Sequence, residues 1–312
     1  MNPIRIGTRD SQLAVWQATF VQDLLKKAGV ASELVYIKSE GDMDTVTPLY
    51  ALGVTGVFTK ALDAALLNNR IDIAVHSMKD VPTQLAHGVQ QASVLKRASY
   101  KDILVYKHDA NFLNESSSKA TIATGSVRRV AQWLNRYPDH TTENLRGNVN
   151  TRLRKLQESH WHGAIFAAAG LERINLRPQN SIDLDWMLPA PAQGAIMIVC
   201  REEDGHAFES CQSFNDEFTA LCTKIEREFL AALMGGCSTP ISALAEVNES
   251  KVVFQGNVVS PDGKQKVDVT MQMPIIEAET LGLMAADKIL AEGGLKIIHE
   301  IRNKGLADEG EA

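Results

Sequence analysis

The sequence predicts an α/β protein in which two α/β units precede a smaller α+β unit. Three observations support this fold class. The chain has 312 residues, which is enough for two or three domains of ordinary size. Hydrophobic residues make up 45% of the chain and charged residues 22%, a composition that excludes a disordered protein. Over the first 200 residues, short β-rich runs alternate with stretches of helical period, as in parallel sheets covered by helices.

The elements predicted for the first unit begin near the amino end with the strand PIRIG. A helix is expected over residues 11–27, because Leu13, Trp16, Phe20 and Leu24 recur at helical spacing and Ser11 suits its N-cap. The rest of the unit alternates in the same way, with a strand over 33–38, a glycine-punctuated loop over 41–56, a helix over 57–69, the strand IDIAV and a β-rich stretch over 89–106.

A serine-rich connection, NESSSKA, precedes a second run of the same alternation. Its predicted elements are the strand TIATG, helices over 126–136 and 149–158, and the strand AIFAAAG. After a strand over 196–200 the pattern changes. It becomes a helix over 217–234, strands over 252–259 and 266–273 joined by a Pro-Asp-Gly turn, and a helix over 277–291, which predicts the α+β unit.

The composition also excludes several classes of protein. The net charge of −6 argues against a surface that grips nucleic acid throughout. No apolar run approaches the ~20 residues of a membrane helix and no secretory signal is recognisable, so we expect a cytoplasmic protein without a membrane partner. The four cysteines, Cys200, Cys211, Cys222 and Cys237, form no C-x-x-C pair, which predicts free thiols and no structural metal.

Basic residues are concentrated in one part of the chain. Residues 121–177 contain nine basic and four acidic side chains, and eight of the nine are arginines. Arginine forks suit bidentate binding of carboxylate or phosphate, so this segment predicts an anion-binding cleft. A solvated helical face is the alternative. The basic residues are Arg128, Arg129, Arg136, Arg146, Arg152, Arg154, Lys155, Arg173 and Arg177.

Polar residues also follow two strands of the first unit. Thr8, Arg9 and Ser11 come after PIRIG, and His76, Ser77, Lys79 and Asp80 come after IDIAV. Ligands of open α/β sheets bind beyond the carboxyl ends of the strands, which predicts a second part of the same site here. From the pattern alone, Asp80 is equally well interpreted as a functional carboxylate or as the cap of a turn.

Seven segments taken together resemble the hydroxymethylbilane synthase family, the porphobilinogen deaminases. The resemblance spans nearly the whole chain and rests on IGTRDSQLAVWQA, DIAVHSMKDVP, ATGSVRR, LRGNVNTRL, AAAGLER, LPAPAQGAI and the GGC followed by Pro240. It implies two domains like a periplasmic-binding-protein pair, with the active cleft between them, and a third α+β domain. By this resemblance domain 1 comprises 1–96 with 194–213, domain 2 comprises 100–190, and domain 3 comprises 216–312.

The resemblance further implies a reaction. Such an enzyme joins four porphobilinogen units, with loss of ammonia, to a dipyrromethane primer, and water then releases linear hydroxymethylbilane. The primer is a thioether of the cysteine that matches Cys237, and the matching catalytic aspartate is Asp80. The residues implied to hold the primer are Ser77, Lys79, Asp80, Thr124, Gly125, Ser126, Arg128 and Arg129, and those implied to receive substrate are Arg9, Ser11, Gln17, Arg146, Arg152, Arg173 and Gln193.

Three positions depart from the family pattern. Ala51 and Thr55 stand where many members carry loop lysines, and Gly125 stands where a serine is common. The resemblance also suggests a monomer and a functional link to uroporphyrinogen-III synthase. Three other functions remain open at this stage: a non-catalytic two-lobed protein that binds a small anion, a phosphoribosyl or nucleotide enzyme, and a cysteine hydrolase. The absence of a P-loop and of a G-x-G-x-x-G motif argues against the second of these.

Overall fold

The computed structural model describes residues 2–38, 59–114, 118–235 and 239–301. In chain order, its strands are β1 (Ile4–Thr8), β2 (Ser32–Tyr36), β3 (Ile73–Ser77), β4 (Val89–Val94), β5 (Asp102–Tyr106), β6 (Thr121–Ala123), β7 (Thr141–Glu143), β8 (Gly163–Ala167), β9 (Ser181–Asp183), β10 (Ile196–Arg201), β11 (Ile241–Asn248), β12 (Lys251–Val259) and β13 (Lys266–Pro274). Its α-helices are α1 (Gln12–Lys27), α2 (Lys60–Leu67), α3 (Val127–Arg136), α4 (Val149–Glu158), α5 (Ala168–Glu172), α6 (Gly205–Gln212), α7 (Glu217–Ala232) and α8 (Leu281–Ile289).

Helix α1 forms where the sequence predicts it. Ser11 caps its first turn, since the Oγ atom accepts a hydrogen bond from the Ala14 N–H at 3.4 Å. The helix buries Ala18, Val21 and Leu25 against the first sheet. Of the residues whose spacing predicted the helix, Trp16 and Leu24 are partly buried against the same apolar cluster, whereas Phe20 is 41% exposed. The helix was therefore predicted correctly, but its apolar face is offset from the one expected.

The first sheet has the strand order β2-β1-β3-β10-β4. Strands β1, β2 and β3 are parallel, whereas β10 is antiparallel to both of its neighbours. The parallel pairing that the alternating pattern predicts therefore holds for β1, β2 and β3 but not for β10. The chain leaves this sheet after β4, forms the second sheet and returns as β10, so two connections, 95–101 and 184–195, join the two sheets.

The second sheet has the order β7-β6-β8-β5-β9, and here β5 is antiparallel to β8 and β9. Apolar clusters cover both of its faces. The segment AIFAAAG was predicted to be one strand, and this was wrong. Strand β8 ends at Ala167, and helix α5 begins at Ala168. Alanine has the highest helix propensity, which favours a helix over a continued strand here.

The third sheet, β11-β12-β13, is antiparallel, and helices α7 and α8 pack on one apolar core with it. Strand β11 and helix α6 were not predicted. The helix expected over 277–291 is shorter, because 3₁₀ structure precedes α8 and a π-turn with Gly293 at φ 105° follows it. Among the described residues, no helix is both long and apolar enough to cross a membrane.

Candidate active site

Asp80 lies at the end of a short 3₁₀ turn, Met78–Asp80, that directly follows β3. The turn is fixed on one side because the Met78 N–H donates to the Ala195 carbonyl at 3.0 Å. Asp80 lines a small cleft of about 80 Å³ together with residues that follow β1 and begin α1. The structure thus brings together members of both polar groups predicted from the sequence, Arg9 and Ser11 from one and His76, Ser77 and Asp80 from the other. Gln17 of α1, which the family resemblance implies, lines the same cleft.

Two buried side chains organise the floor of this cleft. Gln17 is 3% exposed, and its Nε2 atom donates to the Ser77 Oγ atom at 2.9 Å. His76 is also buried, and both its burial and the charge of Arg9 lower its pKa to about 4. His76 is therefore neutral near pH 7, and the positive charge beside Asp80 comes from arginine and lysine.

The centre of the site is a carboxylate that the sequence did not reveal. Asp102 is fully buried at the start of β5, and three side chains donate to it. The Nη2 atoms of Arg128 and Arg129 each lie 2.7 Å from one of its oxygens, and the Nε2 atom of Gln193 lies at 2.9 Å. Burial alone would raise the pKa of Asp102, but the two arginines and Gln193 hold it at about 2.

The two predicted primer-binding arginines are thus already held by the protein. Arg128 also donates to the Leu188 carbonyl at 2.6 Å, and Arg129 to the Ile165 carbonyl at 2.9 Å. Burial lowers the pKa of Arg128, while Asp102 opposes this shift. The Nε atom of Arg128 is buried and has no hydrogen-bond partner within the described residues. One N–H donor of the two arginines, that of the Arg128 Nε atom, is therefore available in the structure.

Gln193 connects the first sheet to the second. It is fully buried, and its Oε1 atom accepts a hydrogen bond from the Lys79 Nζ atom at 3.2 Å while its amide donates to Asp102. Desolvation lowers the pKa of Lys79 to about 8, although the adjacent Asp80 charge opposes the shift. The next residue, Gly194, has φ 89°, and a Cβ there would lie 2.7 Å from the Ala98 and Ser99 carbonyl oxygens, so only glycine fits this connection.

Three further arginines carry positive charge close to Asp80 or to the connection between the sheets. Burial and the charges of Arg129 and Arg146 lower the pKa of Arg152 to about 10, and Asp80 opposes the shift. Arg146 is 3% exposed. Arg173 donates to the Gly194 carbonyl at 2.7 Å, and burial lowers its pKa to about 10. Arg152 and Arg173 therefore remain cations at neutral pH.

The loop before α3 contributes Thr124, Gly125 and Ser126. The Ser126 N–H donates to the Thr124 Oγ1 atom at 3.4 Å, which folds the loop tightly. A Cβ on Gly125 would lie 2.6 Å from the Leu145 carbonyl oxygen. A serine at this position would therefore require the backbone to move, which explains in packing terms why glycine stands here in this chain.

Not every residue predicted to bind anions or the cofactor lies with the buried cations around Asp80 and Asp102. Arg136 stacks over the Trp186 ring at 4.9 Å, Arg154 faces Glu158 at an exposed site, and Arg177 binds Glu172 and Asp183. These three support the alternative of a solvated face for part of the basic segment. Cys237, together with Ala51 and Thr55, lies outside the described residues. The other three cysteines are buried and free, as predicted.

The fold and the site define a two-lobed α/β protein. Its lobes meet at Asp102, an acidic residue surrounded by buried cations. More particularly, this chain belongs to the porphobilinogen deaminase family. Residues 4–209 match the family model "Porphobilinogen deaminase, dipyromethane cofactor binding domain", and residues 220–291 match "Porphobilinogen deaminase, C-terminal domain". The family indicated by the sequence motifs is thereby confirmed.

Named relatives match over the full length. The porphobilinogen deaminase of Geobacter sulfurreducens is 38% identical over 315 residues, covering 100% of this chain and 98% of that protein. That of Syntrophotalea carbinolica is 40% identical over 299 residues, covering 95% of each. Among solved structures, an ancestral cationic amino acid solute binding protein is similar with a TM-score of 0.44 and 13% identity, covering 68% of this chain and 87% of that chain.

The residues of the site fit the cofactor that the family model describes. A dipyrromethane carries carboxylate side chains and pyrrole N–H groups. The described cluster offers buried guanidinium donors, including the Arg128 Nε atom, for the carboxylates, and the Asp80 carboxylate as an acceptor for the N–H groups. The charges and the hydrogen-bonding roles are therefore complementary.

Proposed function

We propose that this chain is a hydroxymethylbilane synthase that condenses four porphobilinogen units with loss of ammonia and releases the linear tetrapyrrole by hydrolysis. The observation that carries this proposal is the placement of Asp80 in a cleft with surrounding cations, in a chain that belongs to the porphobilinogen deaminase family. A non-catalytic binding protein is not favoured, because both matching family models describe deaminase domains.

Asp80 is the catalytic residue in this proposal. When ammonia leaves the aminomethyl group of porphobilinogen, positive charge develops on the pyrrole ring, and it develops again on the acceptor ring before the α-proton is lost. The bound dipyrromethane supplies the α-carbon to which the first unit is joined. A fixed Asp80 carboxylate accepts the pyrrole N–H hydrogen bond and stabilises this charge, an effect commonly worth about 3–4 kcal/mol.

The cations bind the acetate and propionate groups of substrate and growing chain. Their desolvation is what makes them effective, since a charge-assisted hydrogen bond gains strength when water is excluded. We assign two sets of residues. The cofactor set is Ser77, Lys79, Asp80, Thr124, Gly125, Ser126, Arg128 and Arg129, with Cys237 as the attachment point, and the substrate set is Arg9, Ser11, Gln17, Arg146, Arg152, Arg173 and Gln193.

The covalent cofactor is tested by intact mass. The denatured native chain is expected to carry an adduct equal to two condensed pyrrole units, and Cys237→Ser is expected to lack it, because the serine hydroxyl is a far weaker nucleophile than a thiolate. Cys222→Ser is the matched control and should keep the adduct, since Cys222 is buried with a pKa raised to about 12 by burial. A native chain without adduct after incubation with porphobilinogen would contradict the proposal.

Lys79 predicts a pH dependence of binding. A lysine is cationic below its pKa, so Lys79 loses its charge as the pH rises through about 8. Because Lys79 belongs to the set that holds the cofactor, we expect the porphobilinogen concentration that half-saturates adduct formation on the cofactor-free protein to rise by about tenfold between pH 7 and pH 9. This is the effect of losing one charge-assisted hydrogen bond.

The matched comparison is Lys79→Arg, whose guanidinium stays charged over this range. Ionisation of the porphobilinogen amine affects both proteins equally, so the ratio of their half-saturating concentrations isolates Lys79. Parallel pH profiles for the two proteins would show that this lysine does not hold the cofactor as a cation.

The division into domains is also a proposal, with domain 1 at 1–96 and 194–213, domain 2 at 100–190, and domain 3 at 216–312. The sheet memberships support it, because β10 pairs within the first sheet while β5 to β9 form the second. A monomeric state, a cytoplasmic location and a functional link to uroporphyrinogen-III synthase belong to the same proposal. Size-exclusion chromatography with light scattering tests the first of these.

A further inference from the structure

Helix α7, in the carboxyl-terminal part of the chain, reaches back to the turn that carries Asp80. Its Arg227 donates to backbone carbonyls of the segment that follows the turn: Nη1 lies 2.9 Å from the Val81 oxygen, and Nη2 lies 2.6 Å from the Pro82 oxygen. Longer contacts of 3.5 and 3.3 Å reach the Met78 and Thr83 oxygens. One guanidinium thus spans the carbonyls on both sides of Asp80.

Arg227 approaches this segment from outside the active-site cleft. Met78, Thr83 and Arg227 line a separate cleft of about 620 Å³, and Asp80 does not line it. Asp80 instead faces the small cleft with Arg9 and Ser77. Arg227 therefore contacts the backbone that carries the catalytic side chain without lining the cleft where that side chain acts.

The neighbouring residue fixes the helix that carries Arg227. Glu226 is fully buried and binds Arg97 at 2.6 Å, the Ala192 N–H at 2.6 Å and the Ala245 N–H at 2.8 Å. Arg97 and Ala192 belong to the two connections between the first and second sheets. Glu226 thus anchors α7 to these connections, and the next residue, Arg227, holds the turn of Asp80.

We propose that Arg227 is a positioning residue for Asp80: it holds the 78–83 backbone so that the carboxylate meets the reacting pyrrole. The inference rests on the proposed catalytic role of Asp80. The turn is then restrained from two directions. The Met78 N–H donates to the Ala195 carbonyl, and the Val81 carbonyl accepts a hydrogen bond from Arg227. A planar fork with several fixed donors suits this task, whereas a lysine ammonium cannot span the same carbonyls.

The test compares Arg227→Gln and Arg227→Lys with Lys224→Gln in the cofactor-loaded protein. Lys224 lies one helical turn earlier, lines the same 620 Å³ cleft and is exposed, with its Nζ atom 3.5 Å from Glu279. Because small misplacements of catalytic groups are costly, we expect Arg227→Gln to lower kcat by about 10- to 100-fold while KM changes by less than about threefold. Arg227→Lys should fall between the native protein and Arg227→Gln, and Lys224→Gln should match the native protein.

A second measurement follows the backbone directly. Amide hydrogen exchange of a peptide covering residues 78–86 should become faster in Arg227→Gln, in both the cofactor-free and the loaded protein, and stay unchanged in Lys224→Gln. This readout does not depend on turnover. Thermal unfolding of each variant separates local loosening of the turn from a general loss of stability.

A double-substitution cycle distinguishes positioning from a merely structural role. Asp80→Glu keeps the carboxylate but displaces it by one methylene, so a further loss of position should matter less. Arg227→Gln is expected to lower kcat by less than about threefold in that background. The same fold-loss in both backgrounds, or an unchanged kcat in the single variant, would overturn the inference.

The proposed function and this inference fail differently. If Asp80→Asn keeps most of its turnover, the catalytic role of Asp80 is wrong and the inference falls with it. If Asp80→Asn loses its turnover while Arg227→Gln retains it, Asp80 is catalytic and only the positioning role is rejected.

Discussion

Replacement of Asp80 by asparagine lowers kcat by about 100- to 1000-fold in our expectation, with KM changed by less than about threefold. Asparagine keeps the shape of the side chain and an acceptor oxygen but removes the negative charge. Because most of the residues that we propose to bind the substrate are arginines suited to its carboxylates, binding should be preserved. The positive charge of the reacting pyrrole loses its counter-charge, so the loss falls on the transition state. Steady-state kinetics on the cofactor-loaded variant measures both constants.

Asp10→Asn is the matched control for this substitution. Asp10 is an exposed carboxylate between Arg9 and Ser11, two residues that line the same cleft, and its replacement changes the net charge by the same amount. It should leave kcat within about twofold of the native value, as expected for a surface charge. Equal losses in the two variants would mean that Asp80 acts only through the general field of the cleft.

Local pattern sufficed to predict much of the fold because the apolar face and cap of an element lie close together in sequence. Helix α1, with Ser11 as its cap, is the clearest case. The return of β10 to the first sheet is a contact across more than 100 residues, and no local period specifies it. In AIFAAAG, the alanines of α5 carry no periodicity that distinguishes a buried strand from a buried helix.

The site was predictable where its residues follow strand ends in recognisable motifs. Asp80 and Arg9 lie in one cleft as these motifs imply. Asp102 gave a weaker signal, an acidic residue directly before the apolar run of β5, which is also common where a strand emerges from a surface loop. Arg227 gave none, since arginines are mostly exposed and nothing in the local sequence marks this one as a contact. Both residues act through distant segments, and only the tertiary structure brings these together.

Asp102→Asn is expected to lower the free energy of unfolding of the second sheet region by about 3–5 kcal/mol, because it leaves two buried guanidinium groups without their counter-charge. Arg128 and Arg129 are 4% and 5% exposed, so water cannot replace the lost carboxylate. An asparagine oxygen can accept a hydrogen bond from one arginine. The asparagine NH₂ group would face the other arginine, and because both groups are donors, no hydrogen bond can form there. Urea unfolding followed by tryptophan fluorescence reports mainly on this region, since three of the four tryptophans, Trp133, Trp161 and Trp186, pack in its apolar clusters.

Glu172→Gln is the control that separates a buried ion pair from an exposed one. Glu172 binds Arg177 at 2.7 Å, the same distance as in the Asp102 pairs, but both side chains are about one-third exposed or more. Its loss should cost less than about 1 kcal/mol. If the two variants unfold alike, Asp102 does not set the charge balance of the site. Alternatively, Asp102→Asn alone is destabilised, and cofactor loading recovers part of the lost free energy of unfolding. In that case the carboxylates of the cofactor compensate the charge of the same arginines. Asp102 is then the group that keeps these arginines buried and aligned before the cofactor is attached.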